Sequence, residues 1–328
     1  MKRLTYVFLL ILLPFYLNAQ MSDEYKEKVK QAENYHKNKE YKNAVAAYKS
    51  AFASNGNKGL IGDRYNFACS MTQAGMIDSA FSQLEYISTK PGFAEYGRFL
   101  AIDADFTPLH NDKRWGELCK KVKENKDKEE ANLNKPLVAI LDSVFTDDQG
   151  GRQQGESMIK KYGKDSKEVK DLWKDINIKD SIDLVKVEKI LDQYGWLGPG
   201  VVGRQGNSTL FLVIQHADIK TQEKYLPMMR EAVKNKKASS SSLALLEDRV
   251  ALRQGKKQVY GSQIGMTKDG QTYIQPLDDP DNVDKRRAEV GLGPLAEYVQ
   301  YWNLKWDPVE YKKQLPEIEK MQKETFGK

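Results

Sequence analysis

Two stretches in the N-terminal half carry one pattern of small and large apolar residues, and this repetition constrains the fold more than any other feature. VKQAENYHKNKEYKNAVAAYKSAF places Ala32, Tyr35, Tyr41, Ala44, Tyr48 and Ala51 at helical spacings. YNFACSMTQAGMIDSAFSQLEYI places Ala68, Met71, Ile77, Ala80, Leu84 and Ile87 in step. Ala44 and Ala80 stand 36 residues apart, near the period of about 34 expected when each unit is one pair of helices. Small Ala side chains let paired helices approach, while Tyr and Leu fill the space to the next pair.

These residues resemble tetratricopeptide repeats, although the Asn57–Gly62 insertion departs from a tight turn between repeats. After Pro91, FLAIDADFTPLHNDKRWGELCKKVKE supplies Phe106, Leu109, Trp115, Leu118 and Val122 as a cap over the last apolar face. His36 and His110 read as surface or capping residues, not ligands. Two repeats and a cap fall short of the usual three, so the module is expected to lean on the rest of the chain and to contact a protein partner.

The first residues follow a different logic. Lys2 and Arg3 precede the apolar run Val7–Leu17, which is too short to span a bilayer, and Ala19 offers a small residue before a cut at Gln20. Residues 1–19 read as a signal peptide, so the protein is expected to be exported, periplasmic or extracellular. No later stretch suits a membrane span. Lys2 and Arg3 carry two of the formal +6 charges and leave +4. Lys and Glu are interspersed and no groove-reading motif accompanies them, which excludes nucleic acid as the expected partner. Cys69 and Cys119 are the two cysteines. They read as small buried side chains or as a disulfide.

The expected organisation is a helical module over 20–123, a charged linker over 124–136 and an α-rich domain over 137–328. The linker, ENKDKEEANLNKP, reads as a hinge or a helix extension. A helix then starts near Pro136 and carries TDDQGGR, where Gly150 and Gly151 are expected to weaken it. Glu168–Tyr194 reads as two helices, Gly203–His216 as an almost wholly apolar one, and helices follow near 222–233 and 243–252. VYGSQIGMTKDGQTYIQPL alternates on either side of Lys268–Asp269–Gly270 and predicts a single small hairpin. Asp279–Pro280 reads as the start of a closing helix. The fold class is therefore mainly α with one β-hairpin.

Leu210–Gln263 concentrates polar groups beside core residues, and such groups must bond one another or a ligand. His216, with Asp218 two residues on, has the composition of a base and its orienter; in the plainer reading Asp218 caps the following helix. Arg249 lies at the edge of a buried face, either clamping a carboxylate or phosphate or tied to Asp148 or Asp279. Gln215 and Asp248 accompany them. Gln258 and Tyr260 are placed on one face of the first hairpin strand and Gln263 on the other, unless Gly261 bulges it. Arg286 and Arg287 are expected to divide between a surface pair with Asp284 or Glu289 and an inward contact. Asp148, Gln149 and Arg152 complete the set. A lone His-x-Asp offers two ligands, so no metal is expected. GLGP and GPGVVG lack the lysine and spacing of a phosphate loop, no GxSxG elbow occurs, and no cofactor is expected.

TDDQGGR, YGWLGPGVVG, LVIQHAD, ALLEDRVALRQGKKQVYGSQ and DPDNVDKRRAEVGLGPLAEY are together similar to a bacterial domain family of unknown function. The family occurs alone or after tetratricopeptide repeats in exported proteins. The resemblance implies no activity. From the residues, two readings stand. One is a binding or scaffold protein holding a small polar, glycan or peptide ligand in a polar pocket. The other is an acid–base hydrolase or lyase acting on a cell-envelope glycan or peptide, with His216 as base.

Overall fold

The computed structural model describes residues 21–90, 92–93, 100, 103–267 and 270–326. The expected leader and the turn residues Lys268 and Asp269 lie outside them. The fold is mainly α with one small antiparallel strand pair. No helix of the described residues is long and apolar enough to cross a membrane. The chain forms two compact units that meet in sequence at Asn132 and Leu133.

The first unit opens with α1 (Asp23–Lys37) and α2 (Tyr41–Ser54), a hairpin, then α3 (Ile61–Gln73) and α4 (Ile77–Ser88), a second. Ser22 caps α1 by accepting the Tyr25 N–H. Ala32, Ala44, Ala51, Ala68 and Ala80 are fully buried where the helices approach, and Tyr48, Phe67, Phe81, Leu84 and Ile87 fill the space between them. One relation recurs from hairpin to hairpin: the Tyr25 hydroxyl donates to Asp63, and the Tyr65 hydroxyl donates to Asp103. The 57–62 insertion closes with Gly59 against the Phe52 ring, where no larger residue fits. A 3-10 turn (Ala104–Leu109) and α5 (Lys113–Glu129) lay Phe106, Leu109, Leu118 and Val122 over the exposed end of this core. Residues 124–129 of the charged stretch assigned to a linker are helical, because Lys123–Asp127 and Lys126–Glu130 sit one turn apart as α5 runs on. Cys69 and Cys119 are free thiols.

The second unit begins with α6 (Lys135–Tyr162), capped by Asn134, and α7 (Lys167–Tyr194), capped by Ser166. α6 runs through the Gly150–Gly151 pair, and Gly151 is where α7 approaches: a Cβ there would lie 2.7 Å from Ile176 Cγ1. One expectation is corrected here: 168–194 does not divide, because Val169, Ile176, Val187, Ile190 and Leu191 keep one buried stripe along the whole helix.

Next comes α8 (Pro199–His216), bent at Gly203, which holds φ 73° and ψ 170°. That left-handed φ suits glycine alone at low cost, and it sets the apolar body of α8 at an angle to its first turn. Leu210 through Gln215 are all buried, as expected of a helix that is apolar all round. The hairpin of α9 (Ile219–Lys234) and α10 (Ser240–Arg253) completes this core with Tyr225, Met229, Leu246 and Val250.

Strands β1 (Ile264–Met266) and β2 (Thr272–Ile274) pair with Ile264 opposite Ile274. A smaller core gathers Ile274 and Leu277 with Val283 of α11 (Val283–Glu289), Leu295 and Val299 of α12 (Leu295–Val299), and Tyr311 and Ile318 of α13 (Pro308–Phe326). The start of that region is also corrected. Asp279 adopts the left-handed conformation and accepts from the Asn282 side chain, so Pro280 opens a 3-10 turn ahead of α11.

Candidate functional site

The site is built at the C-terminal end of α8. A helix leaves its last carbonyls unbonded, and here side chains of α9 and α10 take them. Arg249 Nη1 donates to Gln215 O (3.1 Å), Gln222 Nε2 to the same oxygen (2.9 Å), and Arg253 Nη1 to Ala217 O (2.7 Å). Cations at a helix C-terminus also meet its negative dipole end.

His216, the last residue of α8, finds its carboxylate on α6. Its Nδ1 lies 2.8 Å from Asp148 Oδ1. Asp218 is not the orienter: it points back to its own backbone and caps α9, accepting the Thr221 N–H at 2.8 Å. Asp148 is itself gripped, by Gln149 Nε2 (2.6 Å) and Arg152 Nη1 (3.1 Å). Arg152 in turn forms a two-pronged pair with Asp180 of α7, at 2.9 and 2.7 Å. The result is one chain, Asp180–Arg152–Asp148–His216, buried at its centre and 25% exposed at Asp180.

An ionised carboxylate accepts only, so Nδ1 carries the imidazole proton and Nε2 the lone pair. Burial, backed by the nearby Arg152 and Arg249 charges, outweighs Asp148 and pushes the His216 imidazole below its ordinary value. Burial pulls the Asp148 carboxyl upward, but His216, Arg152 and Gln149 together hold it below the usual range. The pair at neutral pH is therefore carboxylate and neutral imidazole. The His216 side chain is 10% exposed against 3% for Asp148, so solvent meets the imidazole and not its partner.

Arg249 has no carboxylate in contact. Its Nε donates to Gln263 Oε1 (3.1 Å) and its Nη1 to Gln215 O. Burial and the neighbouring Arg253 push its guanidinium down to about 9, with Tyr298 acting the other way. It remains a cation at neutral pH, fastened on two nitrogens. The Gln215 side-chain amide is buried with both polar atoms unbonded, a state that costs about 1–3 kcal/mol for each such group.

The other expected residues hold the 258–263 loop. Gln258, Tyr260 and Gln263 precede β1 and are not on a strand; Gln258 forms only an isolated bridge with Leu277. The reason is Asp248 of α10. Its carboxylate accepts the N–H groups of Val259 (2.6 Å), Tyr260 (3.0 Å) and Ser262 (3.0 Å), and that cluster curls the chain away from an extended path. Gly261, at φ 68°, makes the turn. Gln258 bridges Gln263 N and O and Gln275 O. Arg287 goes inward, to Tyr260 O and Gly293 O, and lies over the Tyr298 ring. Arg286 binds Val259 O and pairs with Asp279, not with Asp284 or Glu289.

Thus Asp148, Gln149, Arg152, Gln215, His216 and Arg249 gather at the end of α8, and Gln263 touches them through Arg249. Asp248, Gln258, Tyr260, Arg286 and Arg287 form the adjoining loop clamp, and Asp218 belongs to neither. Four contributors went unread in the sequence: Asp180, Gln222, Arg253 and Tyr298. Arg253 had a signal, standing one turn beyond Arg249 on α10. Asp180 had none, because its partner lies on another helix. A concave surface of the second unit lies on α7, lined by Trp173, Ile178 and Ile182, and includes none of the expected residues. Among the described residues of this unit, no three metal-ligating side chains converge.

A family model described as a family of unknown function, DUF6624, matches residues 133–307. No curated protein and no solved structure matches the chain.

Proposed function

The chain belongs to the DUF6624 family through residues 133–307, and from that premise we propose a binding role for its second unit, with the ligand carrying a carboxylate or phosphate. The observation behind this reading is a pair of unused groups at one helix end. Arg249 has bonded Nε and Nη1 only, and His216 has bonded Nδ1 only. The fixed guanidinium offers a donor and the neutral imidazole an acceptor, each on a frame that is already satisfied elsewhere. The reading includes export, supported by the leader-like residues 1–19, and contact of the first unit with a protein partner, supported by its repeat spacing.

The test is binding of cell-envelope glycan and peptide fragments to the purified chain by calorimetry. Binding that R249M abolishes, with the melting temperature kept, supports the reading. Binding untouched by R249M, or no binding by any acidic fragment, overturns it.

A second reading rests on the Asp148–His216 pair alone. A neutral imidazole with its proton held on the carboxylate side is a base at Nε2. In that case H216Q removes all turnover of an envelope glycan or peptide, and the wild-type rate falls as pH drops below the histidine range.

A further inference from the structure

His36 and Asp105 in the first unit face each other across a gap that only a proton or a cation can fill. Ser70 Oγ donates its hydroxyl to Asn66 O at 3.0 Å, so toward His36 it can only accept. His36 Nδ1, 2.9 Å from that oxygen, therefore holds a proton. In a neutral imidazole the lone pair then sits on Nε2, which lies 3.0 Å from Asp105 Oδ2, a second acceptor. Two lone pairs at that distance require either a second imidazole proton or a cation between them.

The surroundings extend the requirement. Cys69 Sγ, Asp103 and Asp105 bring their ligand atoms within 4.8 Å of one another. Cys69 Sγ is 3.9 Å from Asp103 Oδ2, whose other contact is the Tyr65 hydroxyl at 2.8 Å. Asp103 thus meets neutral donors only.

We propose that His36 Nε2, Cys69 Sγ, Asp103 Oδ2 and Asp105 Oδ2 form a tetrahedral site for a divalent transition-metal ion, zinc by preference. Zinc bond lengths put tetrahedral nitrogen, oxygen and sulfur ligands roughly 3.3–3.7 Å apart. Cys69, Asp103 and Asp105 already lie within 4.8 Å of one another, and His36 Nε2 meets the cluster through Asp105 Oδ2 at 3.0 Å, so His36 rotates toward the other three on binding. Sulfur and imidazole favour zinc over calcium or magnesium. Ser70 supplies the outer partner that ligating histidines keep on their other nitrogen. The His36 and Asp105 side chains are 25% and 31% exposed, which leaves a path for entry. Binding displaces the Cys69 thiol proton to solvent, and the ion joins α1, α3 and the 3-10 turn. No motif announces this set, because its members stand in successive repeats: Cys69 and Asp103 are 34 residues apart.

The experiment adds cobalt(II) to the reduced, metal-free full chain. The expected result is a thiolate-to-cobalt band in the near ultraviolet that saturates at one ion per chain and is displaced by zinc. C69S should lose the band, C119S should keep it, and S70A should weaken binding about 10–100-fold. H36Q, which leaves the thiol in place, should weaken it at least as far. A folded wild-type chain without the band, or a band that survives C69S, overturns the proposal.

Discussion

Gly151 of α6 and Ile176 of α7 pack so closely that a Cβ on Gly151 would stand 2.7 Å from Ile176 Cγ1. Gly150, one residue earlier, would meet nothing within 4 Å. The two adjacent glycines therefore respond in opposite directions. G150A should raise stability by up to about 1 kcal/mol through helix propensity. G151A should lower it by about 1–3 kcal/mol, since Ile176 is 1% exposed and has no room to yield. Urea midpoints at constant slope check both. Equal shifts would show that α6 and α7 are not in contact here.

Asp148 and Asp218 are both near His216 in their own terms, one in space and one in sequence. D148N should destabilise the second unit by about 3–5 kcal/mol, because it leaves Arg152 and His216 around a broken buried pair. D218A removes a cap and should cost about 1 kcal/mol. Chemical denaturation of the two variants ranks them. The reverse order would restore Asp218 as the partner of His216.

The His216 imidazole lies below its ordinary value in the folded chain. The unfolded chain thus binds more protons than the folded one as pH falls from about 6.5. Stability should be level above that value and decline below it, with a slope of at most about 1.4 kcal/mol per pH unit from this single group. The Asp148 shift acts only further down, through the carboxylate range. Denaturation between pH 7.5 and 5.5, with H216Q as control, measures the effect. A slope that H216Q leaves intact belongs to another residue.

The elements that were legible owe it to periodicity. Ala44 and Ala80 mark helix pairs because small residues recur where helices touch, and Ile264 and Ile274 mark a hairpin because alternation survives on both strands. The main misreadings share a cause, which is polar residues satisfied by distant partners. Asp180 interrupts the apolar text of α7, yet Arg152 of α6 bonds it and the helix runs through. Gln258 and Tyr260 read as strand until Asp248 is known to hold the loop amides. For the site, His216 and Arg249 were readable as polar groups on apolar helices. The Asp148 pairing was not, since it spans 68 residues.

The grip of Asp248 on the loop has a kinetic side. Its bonds close segments of only 11, 12 and 14 residues, and short loops lose little chain entropy. We expect this knot to tie early and the long-range Asp148–His216 bridge to wait for it, so that the corner at the end of α8 matures last. Pulse-labelled hydrogen exchange should protect the amides of Val259, Tyr260 and Ser262 ahead of those in the middle of α6. Simultaneous protection would make the whole unit a single folding step.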